Sequence, residues 1–188
     1  MTPNESVVVT GGARGIGRGI AEIMVRRGYH VVITDVDGEA ARRTAEEIGA
    51  VAGLQQDVRD EESHRKVAQE ALSHGRLAAW FNNAGVGNDG ALMELSSASV
   101  EQLVQVNLMG VIWGMRAALE AFGPEGGDIV NTASLSGHGP VPGLSVYAAT
   151  KAAVVSLTMS VQVESPRNVR VHALCPDGVA TAMVDAMK

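Results

Sequence analysis

Short runs rich in β-branched residues alternate with longer stretches of helical composition along the whole chain. Six such runs occur: VVVT (7–10), HVVITD (30–35), GLQQDV (53–58), LAAWFNNAG (77–85), DIVNTAS (128–134) and VRVHALCP (169–176). Apolar strands connected by helices form a parallel sheet with right-handed crossovers and helices on both faces. The alternation therefore predicts a doubly wound α/β fold that binds ligands at the carboxyl ends of its strands. Because no linker or repeat interrupts it, residues 1–188 are predicted to form one domain.

The composition limits the classes of partner. A net charge of −6 argues against an extended nucleic-acid interface or a basic membrane-binding surface. The N-terminal MTPNES is polar and no apolar run reaches the length of a membrane span, so neither a secretory leader nor a spanning segment is expected. Cys175 is the only cysteine, which excludes an internal disulfide and a cysteine metal cluster and suits a packing role. We expect a cytoplasmic protein that binds a small molecule and no metal ion.

A glycine-rich turn follows the first predicted strand. In TGGARGIG (10–17) the glycines at positions 11, 15 and 17 follow the pattern G-x-x-x-G-x-G. Glycines allow a sharp turn and a close approach of the backbone to a pyrophosphate, whose charge is stabilised at the helix N-terminus. A plain tight turn is the alternative interpretation, but the position after the first strand of an α/β chain favours a dinucleotide.

Asp35 ends the second predicted strand. A carboxylate at this position accepts hydrogen bonds from both adenosine ribose hydroxyls and repels a 2′-phosphate, which predicts NAD rather than NADP. The alternative role is a helix N-cap, for which Asp37 in DVDGEA is better placed. Arg14 acts in the opposite direction, because a guanidinium in the glycine turn can neutralise a 2′-phosphate.

The YAATK segment places Tyr147 and Lys151 one helical turn apart. A cation near the phenol favours the phenolate and lowers the pKa of the tyrosine, as acid–base catalysis requires, although the same pair also occurs on ordinary helix surfaces. Ser134 ends the fifth predicted strand, where its hydroxyl can donate to a carbonyl oxygen, or it is a generic loop serine. Asn107 lies in an apolar helix and needs a partner, since an unpaired buried amide costs about 1–3 kcal/mol; backbone is one candidate.

These motifs, together with DV at 57–58, NNAG at 82–85 and PDGVAT at 176–181, resemble the classical short-chain dehydrogenase/reductase family in their order and spacing. The resemblance implies a Rossmann sheet of strand order 3-2-1-4-5-6, a nicotinamide cofactor, and hydride transfer to or from a secondary alcohol or ketone. The catalytic residues that it implies are Asn107, Ser134, Tyr147 and Lys151. The cofactor-binding residues that it implies are Gly11, Arg14, Gly15, Ile16, Gly17, Asp35, Asp57, Val58, Asn83, Ala84, Gly85, Tyr147, Lys151, Pro176, Gly178, Val179 and Thr181.

The family resemblance also implies an oligomer and reveals departures. Pairing through the apolar helices near 98–122 and 145–164 predicts a homodimer or homotetramer. Asp177 replaces a common glycine, His172 is interpreted as structural, and His138 is a candidate for substrate contact. Family members usually continue for several tens of residues that supply a lid and a seventh strand, so the chain is expected to be truncated relative to the family. If so, the alternative function is a dinucleotide-binding protein without a productive substrate site.

Overall fold

The computed structural model describes residues 4–87 and 90–178, and within them six parallel strands form one sheet. The strand order is β3-β2-β1-β4-β5-β6, and every pair is parallel. The strands are β1 (Glu5–Thr10), β2 (His30–Asp35), β3 (Ala52–Gln55), β4 (Arg76–Asn82), β5 (Gly127–Thr132) and β6 (Val169–Leu174). The predicted doubly wound sheet of order 3-2-1-4-5-6 is confirmed.

Helices connect consecutive strands. They are α1 (Gly15–Arg26), α2 (Gly38–Ile48), α3 (Glu61–Ser73), α4 (Ser97–Val104), α5 (Gly110–Ala121) and α6 (Ser145–Glu164). Side-chain caps fix where three of them begin: Asp37 accepts a hydrogen bond from the Ala40 N–H of α2, Asp60 accepts one from the Glu62 N–H of α3, and Ser96 accepts one from the Ser99 N–H of α4. Each cap satisfies a backbone donor that the first helical turn leaves without a partner.

Both faces of the sheet are buried, as a parallel sheet requires. Val7 and Val9 of β1 pack with α1 and α2 on one face, whereas Val8 packs with α3, α5 and α6 on the other. The largest fully buried side chain is Trp80 of β4. Alternating side chains of β1 therefore belong to two separate hydrophobic cores, one on each face of the sheet.

A buried ladder of polar side chains joins β4, β5 and α6. Trp80 Nε1 donates to Asn82 Oδ1 at 2.8 Å, and Asn82 Nδ2 donates to Asn131 Oδ1 at 2.8 Å. Asn131 Nδ2 in turn donates to Thr158 Oγ1 at 3.0 Å. Since a buried amide without partners is costly, this ladder fixes the position of α6 relative to the two strands.

The apolar helix predicted between 99 and 122 is not a regular α-helix. Gln105–Met109 form a π-helical segment that separates α4 from α5, and Asn107 is buried at its centre. This widened turn was not predicted from the sequence. Such segments occur often at functional sites because they redirect a side chain without ending the helix.

Among the described residues, α6 is the one helix that is long and apolar enough to span a membrane, with a mean hydropathy of 1.2. Lys151, Val154 and Thr158 of this helix are buried within the protein. A core helix meets the same criteria of length and composition, so we interpret α6 as part of the core.

Candidate active site

One cleft of about 620 Å³ lies at the carboxyl ends of the strands. Most of the predicted site residues line it: Gly11, Arg14, Gly15, Ile16, Asp35, Asp57, Val58, Asn83, Ala84, Gly85, Ser134, Tyr147, Lys151, Pro176 and Gly178. Gly17 and Asn107 are buried behind its wall. Val179 and Thr181 lie outside the described residues. The structure thus brings residues from all six strand ends together around one space.

The glycine turn approaches the segment after β4 closely. Gly11 and Gly15 have positive φ angles of 62° and 57°. A Cβ on Gly11 would lie 2.8 Å from the Ala84 Cα, so a side chain at this position would displace the backbone. A Cβ on Gly17 would lie 2.2 Å from the Gly11 carbonyl oxygen. Gly17 therefore allows α1 to pack against the turn and shapes the cleft from behind.

The N-terminus of α1 opens onto the same cleft. Arg14 is its N-cap residue but makes no side-chain cap bond, and the first helical bond runs from the Arg18 N–H to the Arg14 carbonyl at 3.2 Å. The N–H groups of Gly15 and Ile16 consequently have no acceptor within the helix. Together with the helix dipole, these donors suit a phosphate group.

Asn83 connects the ends of three strands. Its Nδ2 donates to the carbonyl oxygens of Thr10 and Gly11 at 3.1 and 3.2 Å, and its Oδ1 accepts from Thr132 Oγ1 at 3.3 Å. The Thr10 hydroxyl also accepts from the Asn83 and Ala84 N–H groups. These bonds hold the segment after β4 against the glycine turn and so fix the middle of the cleft.

The two aspartates after β2 have different roles. Asp37 is the N-cap of α2. Asp35 lines the cleft with only 8% of its surface exposed, and its carboxylate accepts from the Ala13 N–H at 3.4 Å and the Asp37 N–H at 3.3 Å. Arg14 is exposed at the same end of the cleft. The sequence-based division between a capping and a cleft-facing carboxylate corresponds to this geometry.

An ion pair borders the cleft after β3. Arg59 binds the Asp57 carboxylate with two donors, at 2.9 Å from Nε to Oδ1 and 2.5 Å from Nη2 to Oδ2. This bidentate contact lowers the pKa of Asp57 below its usual value. Val58 is buried beside the pair and lines the cleft. Arg59 was not predicted as a site residue, although its spacing of two residues from Asp57 in DVRD was a usable signal.

Tyr147 and Lys151 lie on one face of the first turns of α6, as the spacing predicts. The Lys151 Nζ is 5.7 Å from the centroid of the Tyr147 ring. The ammonium donates to the Thr132 carbonyl oxygen at 2.8 Å and is almost completely buried. Burial disfavours the cation and lowers the pKa of Lys151 to about 8.

Burial also raises the pKa of Tyr147 above its usual value, and a hydrogen bond with the Ser134 side chain acts in the opposite direction. The sequence-based expectation that Lys151 lowers this pKa is therefore wrong. The physical reason is that loss of water around the phenol outweighs a nearby cation that donates instead to the Thr132 carbonyl. Tyr147 therefore keeps its phenolic proton at neutral pH.

Ser134 follows β5 and is buried in the cleft wall. Its Oγ accepts a hydrogen bond from the Ser136 N–H at 3.1 Å, which caps the 3₁₀ turn Leu135–His138. The hydroxyl is thereby held in place and its proton remains available to a second acceptor. Ser134 thus has both a structural role in the turn and an orientation suited to the cleft.

Asn107 finds its partners mainly in the backbone. Its Oδ1 accepts from the Val86 N–H at 2.8 Å, and its Nδ2 donates to the Val86 carbonyl at 2.9 Å. A Cβ on Gly85 would lie 3.3 Å from this Oδ1 and 3.6 Å from the Lys151 Nζ. The two polar atoms therefore border the same small space beside the cleft.

Residues 5–188 match the family model described as short chain dehydrogenase. The chain belongs to the short-chain dehydrogenase family. It is 38% identical to sorbitol dehydrogenase of Cereibacter sphaeroides in an alignment 190 residues long, gaps included, that covers 97% of this chain and 74% of that protein. It is 30% identical to diacetyl reductase [(S)-acetoin forming] of Staphylococcus epidermidis over 191 residues, which cover 97% of this chain and 74% of that protein.

Solved structures of short-chain dehydrogenases have the same fold. A short chain dehydrogenase/reductase from Burkholderia phymatum in complex with NAD superposes with a TM-score of 0.92 at 35% identity, covering 99% of this chain and 70% of that one. A 3-ketoacyl-(acyl-carrier-protein) reductase from Brucella melitensis complexed with NADH gives a TM-score of 0.91 at 31% identity, covering 98% and 79%. The family and the fold predicted from the motifs are confirmed.

The remaining wall of this short-chain dehydrogenase cleft was not anticipated. It includes the apolar residues Val86, Val106 and Leu144 beside the polar Gln102 and Ser136. A spacing of four residues between Gln102 and Val106 was the one available signal, since it places them on one helix face. His138 is exposed and is not among the cleft-lining residues, whereas His172 is exposed on β6 with its Nε2 3.5 Å from Asp128 Oδ1.

Metal ligands were not predicted for the cleft. Across residues 4–87 and 90–178, no group of three or more His, Cys, Asp or Glu side chains is arranged to hold a metal ion. Cys175 is half-buried after β6 and packs against the core cluster on the α3, α5 and α6 side of the sheet.

Proposed function

We propose that this chain is an oxidoreductase that uses NAD in preference to NADP and interconverts a secondary alcohol and a ketone. The observation that carries the proposal is the meeting of Ser134, Tyr147 and Lys151 in the cleft that also contains the glycine turn and Asp35. The relatives named sorbitol dehydrogenase and diacetyl reductase, and a structural neighbour in complex with NAD, support it.

The residues present fit a nicotinamide dinucleotide along the length of the cleft. Gly11 leaves room for a pyrophosphate where any side chain would collide with Ala84. The N–H groups at the start of α1 would bind the phosphates, and the Asp35 carboxylate would accept hydrogen bonds from the adenosine ribose hydroxyls. Asp57 and Val58 would hold the adenine. Asn83, Ala84, Gly85, Pro176 and Gly178 would hold the nicotinamide end, together with Val179 and Thr181.

Four side chains carry out the proton chemistry. When bound, the dinucleotide supplies the hydride for ketone reduction or accepts it in alcohol oxidation. In reduction, Tyr147 donates its phenolic proton to the carbonyl oxygen, and its raised pKa keeps that proton in place at neutral pH. The Ser134 hydroxyl donates a hydrogen bond to the same oxygen as negative charge develops on it.

Lys151 and Asn107 complete the proton path. The Lys151 ammonium stabilises the phenolate that remains after Tyr147 has given up its proton. Lys151 Nζ and Asn107 Oδ1 both border the space beside Gly85, and we assign them the transfer of the replacement proton from solvent. Alcohol oxidation uses the same groups in the reverse direction.

We also propose that the functional form is a homodimer or homotetramer and that its substrate is a small uncharged alcohol or ketone. The cleft wall beyond the catalytic side chains supports the second point, because Val86, Val106 and Leu144 are apolar. The apolar exposed face of α6 supports the first point.

A binding titration combined with a turnover screen tests the proposed function. Calorimetric titrations with NAD, NADH, NADP and NADPH give the affinity for each dinucleotide. The screen follows the absorbance of the reduced nicotinamide cofactor in the presence of sorbitol, diacetyl or simple secondary alcohols. We expect tighter binding of NAD and turnover of at least one substrate. Binding without turnover across the screen would favour the alternative of a dinucleotide-binding protein.

Tyr147→Phe is the decisive variant because it removes the phenolic oxygen and keeps the ring. We expect its kcat to fall by about a hundredfold or more, as for loss of a general acid, while its affinity for NAD stays within about twofold. Tyr29→Phe is the matched control: Tyr29 is the other tyrosine of the chain and immediately precedes β2, at the amino ends of the strands and away from the cleft. Retention of most activity in Tyr147→Phe would contradict the proposed mechanism.

A further inference from the structure

A histidine is buried directly behind the wall of the cleft. His64 of α3 has 0% of its surface exposed, and its Nε2 is 2.9 Å from the carbonyl oxygen of Val58. Val58 itself lines the cleft, at the end where the proposed function places the adenine. The catalytic groups described above make no use of His64.

The partners of His64 determine its tautomer. A carbonyl oxygen only accepts hydrogen bonds, so the proton of the imidazole is on Nε2, which donates to Val58. The other ring nitrogen, Nδ1, is buried and has no hydrogen-bond partner among the described residues. Trp80 covers the ring, with the centroids 6.2 Å apart. A second proton on Nδ1 would have no acceptor, and burial lowers the pKa of His64.

The neighbouring bonds fix the same turn. Ser63 Oγ lies 2.7 Å from the Asp60 carbonyl oxygen and 2.9 Å from the Asp57 carbonyl oxygen, so its one proton is shared between them, next to the bond from His64 to Val58. From the other side, Gly110 packs so closely that a Cβ on it would lie 2.9 Å from Val58 Cγ2. Ser63 and His64 of α3 therefore both contact carbonyl oxygens of the turn, and the Val58 side chain is confined against α5.

We propose that His64 is a positioning residue for the adenosine end of the cleft: by donating to the Val58 carbonyl, it holds the wall against which the adenine lies. This inference rests on the proposed dinucleotide binding and adds to it a residue that acts from behind the wall. Holding the wall in its bound arrangement before the ligand arrives saves the cost of ordering it on binding. Losing the donor therefore weakens affinity for the adenosine part without changing the chemical step.

Ligands that share the adenosine but differ in the nicotinamide separate these effects. Calorimetry with ADP-ribose, which has no nicotinamide, is compared with the kcat at saturating NAD in four proteins: wild type, His64→Leu, His64→Gln and His30→Leu. Leu fills space without donating. The amide of Gln donates from nearly the same place as Nε2. His30, at the start of β2, also contacts a backbone carbonyl but lies at the amino ends of the strands, away from the cleft.

We expect His64→Leu to bind ADP-ribose about three- to tenfold more weakly, as for the loss of one hydrogen bond, with kcat within about twofold of wild type. His64→Gln recovers most of the affinity, and His30→Leu keeps it. Equal affinities in wild type and His64→Leu would overturn the inference and leave the proposed function intact. A wild-type protein that binds neither ADP-ribose nor NAD would overturn both.

A measurement on the wild type alone covers variants that fail to fold. Nitrogen-15 NMR of the imidazole distinguishes a protonated from an unprotonated Nδ1. We expect an unprotonated Nδ1 and a protonated Nε2 at pH 7. A neutral ring with its proton on Nδ1 would overturn the inference, because its Nε2 has no proton to donate to the Val58 carbonyl.

Discussion

The ammonium of Lys151 donates to the backbone carbonyl of Thr132 at 2.8 Å while only 4% of the lysine surface is exposed. The carbonyl offers partial negative charge but no full counter-charge to a buried cation. For that reason, burial lowers the pKa of Lys151 to about 8. The Lys151 ammonium therefore loses its proton at a lower pH than that of a surface lysine.

We expect kcat/KM for ketone reduction to fall as pH rises through about 8, because reduction needs a proton from Tyr147 that Lys151 replenishes, and Lys151 is neutral above its pKa. Oxidation shows the opposite trend. Lys151→Met should lower kcat/KM about a hundredfold and abolish the fall of kcat/KM for reduction near pH 8. Lys66→Met, at an exposed position on α3, is the control. A wild-type profile that is flat to pH 9.5 would show that Lys151 does not set it.

Asp35→Ala is expected to narrow the preference for NAD over NADP. Loss of the hydrogen bonds that the carboxylate accepts from the ribose hydroxyls, each worth about 1.5–3 kcal/mol, should weaken NAD binding about tenfold or more, while NADP loses a source of repulsion. The measurement is the ratio of the two dissociation constants by calorimetry.

Asp37→Ala is the matched control for that ratio. It removes the cap of α2, at a cost of about 1 kcal/mol in stability, and should leave the ratio unchanged because Asp37 does not line the cleft. Tighter binding of NADP than NAD by the wild type would contradict the role of Asp35 and identify Arg14 as the dominant charge.

The strands were predictable from the sequence, but their ends were not. The fourth strand was predicted to reach Gly85, whereas β4 ends at Asn82. The reason is tertiary: Asn83 leaves the sheet and bonds to the backbone of the glycine turn, whose position local composition does not reveal. Asp57 and Ser134 were likewise predicted to belong to strands, but they lie beyond the ends of β3 and β5 and line the cleft.

The site was predictable where its signal lay in spacing. Tyr147 and Lys151 share a helix face because they are one turn apart, and the family motifs supplied their partners. The direction of the Tyr147 pKa depends on burial by segments distant in sequence, so a helix-local argument gave the wrong sign. His64 was missed for the same reason, since only the folded chain places the α3 histidine against Val58.

His64 is expected to make the stability of the fold sensitive to mild acid. Burial lowers its pKa in the folded chain below the ordinary value of 6.5, and the nearby Asp60 and Glu61 only partly oppose this. Between the two pKa values the unfolded chain binds more protons than the folded chain. The contribution of His64 is therefore fully present above pH 6.5 and is lost as pH falls below it, by at most about 1.4 kcal/mol per pH unit.

Chemical denaturation between pH 5 and pH 8 measures this effect. The free energy of unfolding of the wild type should fall more steeply below pH 6.5 than that of His64→Gln, which cannot titrate. His30→Leu should retain the wild-type slope, because it leaves His64 in place. Parallel curves for wild type and His64→Gln would show that His64 has the same pKa in the folded and unfolded chains.

The last prediction concerns the exposed face of α6. Met159 and Val163 are one helical turn apart and are 66% and 86% exposed, although both are apolar. Small residues, Ala152 and Ser156, continue the same face and would allow a second helix to approach closely. We expect light scattering at micromolar concentration to give a dimer or tetramer for the wild type, and a smaller species for the double variant Met159→Lys, Val163→Lys, because two ammonium groups would have to be desolvated at the interface. Ile23→Lys, which changes an exposed apolar residue of α1, should leave the mass unchanged. A monomeric wild type would show that this face has another role.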